Sequence, residues 1–428
     1  MRICRVALLF TLLAGATSLL VARGQPSAVK VFVGARLVDG SGADPIERSI
    51  VVVDGDRIRS VATMAEPGIV PANAERIDVR GRTILPGFVN AHGHVGDTNG
   101  LEAAPEFYTR ENLERQLRLY AQYGVTTVFS LGGDGPAGVA LRNEAPAGRA
   151  RVFIAGPIVT GTTAATATRE VDVAAAMGVD WIKFRVDDNL GTTPKMPRDA
   201  WQAALRHAHE KKLPVAAHLF YLEDAKALLR EDVDLIAHSI RDQPVDDEFL
   251  QLAQEHRPCV VPTLTREVST FVYESTPPFF SDEFFLRHAD PKVLQQLKDG
   301  SRQAKMRKSA SAQKYKQALK VAMQNLKTLK DAGVRIAMGT DTGPPARFQG
   351  YFEHMELEMM VQAGLTPMEA IVAATGDAAR CMKKAELVGI LRPGASADFA
   401  VYKDDPSKDI RATHSLESVF VAGARIPE

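Results

Sequence analysis

His92 and His94 stand two residues apart near the end of an apolar run, Ile84 to Val95 (ILPGFVNAHGHV). Side chains in a β-strand alternate faces, so residues i and i+2 leave the strand together. Two imidazoles leaving one strand end are a ready start for a metal site. Four more residues of ligand type close other strand-like runs: Lys183 in WIKFRV, His218 in PVAAHLF, His238 in LIAHSI and Asp341 in VRIAMGTD. Taken singly, each has a plainer explanation. A lone strand-end His is commonly a hydrogen-bonded polar residue, Asp341 before Thr-Gly suits a turn, and Lys183 could snorkel or form an ion pair. Lys183 is the unusual one, because it follows Trp181 and Ile182 in a run that reads as buried. Burial favours the neutral amine. A neutral lysine can take up carbon dioxide as a carbamate, and a carbamate can bridge two cations.

The elements that must position these residues alternate along the middle of the chain. Strand-like runs cover 125–132, 151–159, 181–186, 214–220, 235–240, 259–264 and 334–341, and the strand before His92 makes eight. Helical patterns lie between most of them, including 199–212 and 222–230. Such alternation predicts a parallel α/β sheet, and eight units predict a (β/α)8 TIM-like barrel. An open doubly wound sheet is the competing architecture. The absence of a Gly-rich phosphate loop, and ligands drawn from five strands, favour the barrel, whose strand ends converge on one mouth. Thr366-Pro367-Met368-Glu369 predicts a capped helix start, and 314–332 a long helix that Gly333 can end. The stretch 265–311 reads as an unusually long loop, a candidate lid. Both chain ends read differently, as short strands with turns such as Val53-Asp54-Gly55-Asp56. The predicted organisation is a small β-sandwich from 25–85 and 386–428, with the barrel at 86–385.

Composition is that of an ordinary globular protein, 45% hydrophobic and 24% charged, and the zero net charge gives no pull toward nucleic acid. The first residues depart from this. Arg2 and Arg5 precede the apolar run Val6 to Val21, and Ala22-Arg23-Gly24 follows with small residues at −3 and −1. This predicts a signal peptide over 1–24 and an exported protein, periplasmic or secreted, with no stable membrane insertion after cleavage. An uncleaved anchor helix is the alternative, and the run is short for a span. Cys4 would leave with the leader. The remaining cysteines, Cys259 and Cys381, are expected to be two buried thiols, although export leaves a disulfide open.

The motifs LPGFVNAHGH (85–94), GTDTG (339–343), AGLTPMEA (363–370) and GILRPGASADF (389–399) resemble the amidohydrolase superfamily, in particular its imidazolonepropionase-like and prolidase-like branch. The resemblance implies a two-metal hydrolase, usually a zinc enzyme. His92, His94 and Asp341 would hold one ion and His218 and His238 the other, with carboxylated Lys183 between them. A hydroxide between the ions would be the nucleophile, and Asp341 would pass its proton to the leaving amine. Prolidase-like relatives carry a Tyr two residues after the fifth-strand His. Phe220 holds that place here, so Tyr221 is an oxyanion donor only if the backbone turns. The stretch after the lysine, Arg185-Val186-Asp187-Asp188, also departs from the Gly and Ser of relatives. Arg241, directly after the sixth strand, could fork onto a substrate carboxylate or form a salt bridge with Asp242 or a neighbour. Arg266 is a weaker candidate for the same role, and His354 reads as a supporting or capping residue.

The expected activity is hydrolysis of dipeptides or N-acyl amino acids by an enzyme that, like its relatives, could self-associate. One alternative is a one-metal cyclic-amide or lactone hydrolase, against which Lys183 argues. The other is a non-enzymatic binding protein on the same barrel, against which six filled ligand positions argue.

Overall fold

Asp54-Gly55 turns strand Ser49–Asp54 back as Arg57–Thr63, with Asp54 opposite Arg57. These two strands join Lys30–Val33 and Glu75–Asp78 in a four-stranded sheet. The structure is a computed structural model, and it describes residues 29–68 and 70–428. The expected leader at 1–24, with Cys4, lies outside those residues. A five-stranded sheet combines both parts of the chain: Arg36–Leu37 and Thr83–Pro86 pair into Phe399–Tyr402, Leu416–Val421 and Ala424–Arg425. Phe399 lies opposite Pro86. The two sheets share one apolar cluster, in which Phe32 meets Phe399 and Phe420 edge-on at 4.9 and 5.0 Å.

The middle of the chain is α/β. Strands Phe88–Gly93, Val125–Ser130 and Arg151–Ile154 form one parallel sheet, and Ile182–Arg185, Val215–His218, Leu235–Ala237 and Cys259–Val261 form another. Both faces are buried, as parallel sheets require, and alternation sorts the side chains into two cores. Trp181, Ala216, Leu235 and Ala237 enter one, and Ile182, Ala217 and Ile236 enter the other with the helices. A single bridge, Val159 to Phe184, links the sheets.

The eighth predicted strand is not a regular one. Residues 334–342 thread between Cys259–Val261 and Phe88–Gly93 through isolated bridges, Ile336 to Val260 and Thr342 to Gly93. The left-handed backbone at Asp341 (φ 56°) and Gly343 (φ 114°) breaks the extended run. The helices follow their sequence patterns more closely. Arg198–Glu210, Leu222–Leu229 and Ala310–Asp331 match their patterns, and Thr366 and Glu369 form the reciprocal capping box.

The stretch 265–311 is not a loop. It folds as helices Leu264–Ser269, Glu283–Leu286, Pro291–Leu297 and Gly300–Arg307 with short 3-10 turns between. Asp282, Asp290 and Asp299 cap the last three through side-chain bonds to backbone N–H groups. Phe279, Phe280, Phe284 and Phe285 fasten the stretch onto Tyr123, Tyr351 and Phe352. It is therefore an anchored wall. No described helix is long and apolar enough to cross a membrane.

The expectation of two free thiols is corrected. Cys259 and Cys381 form a disulfide, with Cα atoms 5.7 Å apart across 122 residues of sequence. Strand start and helix end meet because both lie at the same border of the inner core. Closing so long a loop removes about 5 kcal/mol of unfolded-state entropy. Reduction, or a Cys259→Ala/Cys381→Ala pair, is therefore expected to lower stability by roughly 3–5 kcal/mol. Urea unfolding with and without reductant checks this, and coincident midpoints would contradict it.

Candidate metal centre

The strand Phe88–Gly93 places the first two histidines, but not by simple alternation. Its pairing with Val125–Ser130 slips between Asn90 and Gly93, a bulge of the kind that re-aims side chains beside functional sites. His92 and His94 then stand with ring centroids 5.5 Å apart. Lys183 shares the inner face with Trp181, as alternation requires, and His218 likewise follows Ala216. His238 does not. It comes directly after inner-face Ala237 and would point outward, except that its backbone takes φ 81°. Asp341 is also held at positive φ. Two non-glycine residues in this sparsely allowed region, both carrying ligand-type groups, mark strain held at a functional site. Gly339 permits the close approach of the aspartate segment, since a Cβ there would lie 2.8 Å from the His92 backbone nitrogen.

The side chains converge. His92, His94 and Asp341 offer one ligand atom each within 4.8 Å of one another. Asp341 Oδ1 lies 2.9 Å from His94 Nε2 and 3.6 Å from His92 Nε2. Lys183 Nζ is 3.5 Å from His92 Nε2. The His238 ring is 4.7 Å from that of His92 and 4.2 Å from that of His218. All six residues named from sequence therefore meet in one place.

The orientation of each ring tests whether a metal fits. His94 Nδ1 donates to the Gly132 carbonyl at 3.0 Å, leaving Nε2 toward Asp341. His218 Nε2 is bonded to Asp187 at 3.0 Å, leaving Nδ1. His238 Nδ1 shares a bond with Thr263 Oγ1 at 2.7 Å, leaving Nε2. Metal-binding histidines are held in this way by a bond to the other ring nitrogen. His92 has a buried Nδ1 with no partner. Nitrogen and carboxylate donors of this kind suit zinc and its neighbours.

Electrostatics agree with ligation. Burial holds His218 down to about 3, and burial with neighbouring positive charge keeps His92 and His238 well below the usual imidazole range. They stand neutral, the form a metal needs. Burial also lowers His94, but the Asp341 bond and charge more than reverse it. For Asp341, burial alone would raise the carboxyl; Arg347 and the two histidines hold it well below the carboxylate range. Burial pushes the Lys183 amine down to about 7, so the free amine is available at neutral pH.

The substrate candidates fare differently. Arg241 is buried at 1% exposure; its Nη1 donates to the Leu219 and Ser239 carbonyls, and its Nε lies 2.9 Å from Glu267. Its salt bridge is to Glu267 rather than Asp242, which caps Leu222 instead, so the fork onto substrate is corrected to a buried structural ion pair. Tyr221 starts a helix, and its hydroxyl donates to Asp188 at 2.8 Å. Phe220 packs against Tyr315. Arg266 lies over the Tyr315 ring with an unpartnered Nε, and its charge bears on both His218 and Asp341. His354 is buried, with Nε2 on the Tyr123 carbonyl at 2.7 Å, and it bonds none of the candidate ligands.

Two supporting residues escaped sequence reasoning. Arg347 bonds Asp341 Oδ2, and Asp187 orients His218 while pairing with Arg185. Asp187 lies just past the strand that carries Lys183, four residues on, and could have been found there. Arg347 sits in a turn after Gly343, where no spacing rule points inward.

Comparison with known proteins accords with this geometry. The amidohydrolase family profile matches residues 83–426. The imidazolonepropionase of Streptomyces avermitilis is 26% identical over 410 residues, covering 90% of this chain and 86% of that one. Among solved structures, a Xaa-Pro dipeptidase with methionine bound in its active site superposes with a TM-score of 0.73 at 22% identity, covering 93% and 99% of the two chains. The Aspergillus niger ochratoxinase superposes with a TM-score of 0.72 at 18% identity, covering 94% and 96%. The chain belongs to the amidohydrolase family, hydrolases that act on carbon–nitrogen bonds.

Proposed function

We propose that this protein is an exported, binuclear metal-dependent amidohydrolase that cleaves dipeptides or N-acyl amino acids, built as a (β/α)8 barrel at 86–385 with a β-sandwich from 25–85 and 386–428. The observation that carries the reading is the meeting of five ligand-type residues and one buried lysine whose amine burial pushes down to about 7. His92, His94 and Asp341 would hold one ion, His218 and His238 the other, with Lys183, as a carbamate, between them. Bound divalent ions, zinc by the donor set, supply a water activated at neutral pH and polarise the scissile carbonyl. Asp341 would take the proton of the attacking water and pass it to the leaving amine. The disulfide supports export, because such bonds persist in oxidising compartments.

Free-carboxylate substrates are supported by the cation at Arg266. Glu267 faces two guanidiniums, Arg241 and Arg266, so this buried group carries a surplus positive charge. Arg266→Gln is expected to narrow the preference for an N-acyl amino acid over its carboxamide by about 10–100-fold, mostly through KM. An unchanged preference would remove Arg266 from substrate binding.

A one-ion, cyclic-amide reading is favoured by one observation. Among the described residues, only His92, His94 and Asp341 meet as a tight ligand trio. Elemental analysis of protein purified with bicarbonate decides between the two. Two ions per chain are expected, one ion would favour the cyclic-amide hydrolase, and none after reconstitution would end the metal reading.

A further inference from the structure

Glu353 is a buried carboxylate outside the ligand set that ties together both segments of the His92/His94/Asp341 trio. It sits in the first turn of helix Tyr351–Gln362, with no exposed surface. Its Oε1 accepts three hydrogen bonds: from Asn90 Nδ2 at 2.6 Å, Thr340 Oγ1 at 2.7 Å and Thr342 Oγ1 at 2.6 Å. Asn90 in turn accepts the backbone N–H of His92 at 2.9 Å. Thr340 and Thr342 flank Asp341, whose positive φ must be held by its surroundings. Tyr120 adds a bond to Thr342 at 2.6 Å.

One carboxylate oxygen thus fixes the strand that presents the histidines and the turn that presents the aspartate. The other oxygen, Oε2, is buried with no partner. A half-satisfied buried carboxylate is costly, and an apolar side chain would avoid that cost if the position served packing alone. The helix N-terminus partly offsets it. Asp187 and Thr263, which orient His218 and His238, share no hydrogen bond with Glu353.

We propose that Glu353 is a positioning residue for one metal ion only, the one held by His92, His94 and Asp341. It keeps two segments distant in sequence in ligating register. The inference rests on the two-ion reading above.

The test is zinc and cobalt(II) titration of wild type, E353A and E353Q against a chelator, with the visible cobalt spectrum recorded at each step. In E353A one of the two ions is expected to bind about 10–100-fold more weakly, with its share of the cobalt spectrum lost and the second ion unchanged. E353Q keeps an acceptor oxygen and is expected to recover most of that affinity. If E353A does not fold, T340V, which removes one donor at nearly constant shape, carries the same expectation on a smaller scale. Two ions held as tightly as in wild type, or both weakened equally, would overturn the proposal. Wild type that binds a single ion overturns the two-ion reading instead, and Glu353 is then judged on the affinity for that ion.

Discussion

Asp341→Asn folds and loses about 10²–10⁴-fold in kcat. The substitution is nearly isosteric, and the backbone bond from Asp341 N–H to the His92 carbonyl is unaffected. What changes is charge and proton affinity. The carboxylate balances Arg347 on one oxygen and faces His94 and His92 with the other. An amide cannot accept the proton of an attacking water, and its NH2 end must face either a guanidinium or an imidazole. Metal content is measured beside turnover, and the loss in kcat persists at full loading. Turnover within tenfold of wild type at full loading would remove Asp341 from proton transfer.

Lys183→Met is expected to cost on the order of 10³-fold in turnover and one ion per chain. The methionine fills the same space, so Trp181 and Ile182 keep their packing. It cannot form a carbamate. A bare ammonium at this position is disfavoured by burial and would repel cations, so an unmodified lysine is the wrong group beside two of them. Wild-type activity should therefore fall when bicarbonate and dissolved carbon dioxide are removed during reconstitution, and K183M should be indifferent to both. A variant that retains two ions and normal turnover would end the bridging role.

Lys183 and His218 were legible in the sequence because period-2 alternation survives to the strand end, where each shares a face with a core residue two positions earlier. The hairpin at Asp54-Gly55 and the capping box at Thr366 were legible because their chemistry is local. Strand geometry does not explain the placement of His238 and Asp341; backbone turns at positive φ deliver them. In sequence Arg241 looks available because it is a cation just past a strand end, whereas Glu267, twenty-six residues on, claims it. Glu353, Arg347 and the disulfide share that difficulty. Their partners are fixed by tertiary packing, and nothing in the local pattern names them. The wall at 265–311 resembles a loop in sequence because its helices are short. Their signals were the capping aspartates and the paired phenylalanines.

The strand Phe399–Tyr402 lies between Thr83–Pro86 and Leu416–Val421, and this has a consequence for the chain as it is made. During synthesis, Thr83–Pro86 waits with one edge unpaired until more than three hundred further residues have left the ribosome. Contacts of such long range form slowly. A premature stop before residue 399 leaves Ile84 and Phe32 without their covering layer and a bare strand edge beside them. The product of a stop between residues 342 and 398 is expected to be an aggregating chain rather than a weakened enzyme, even though every candidate metal ligand lies upstream of the break.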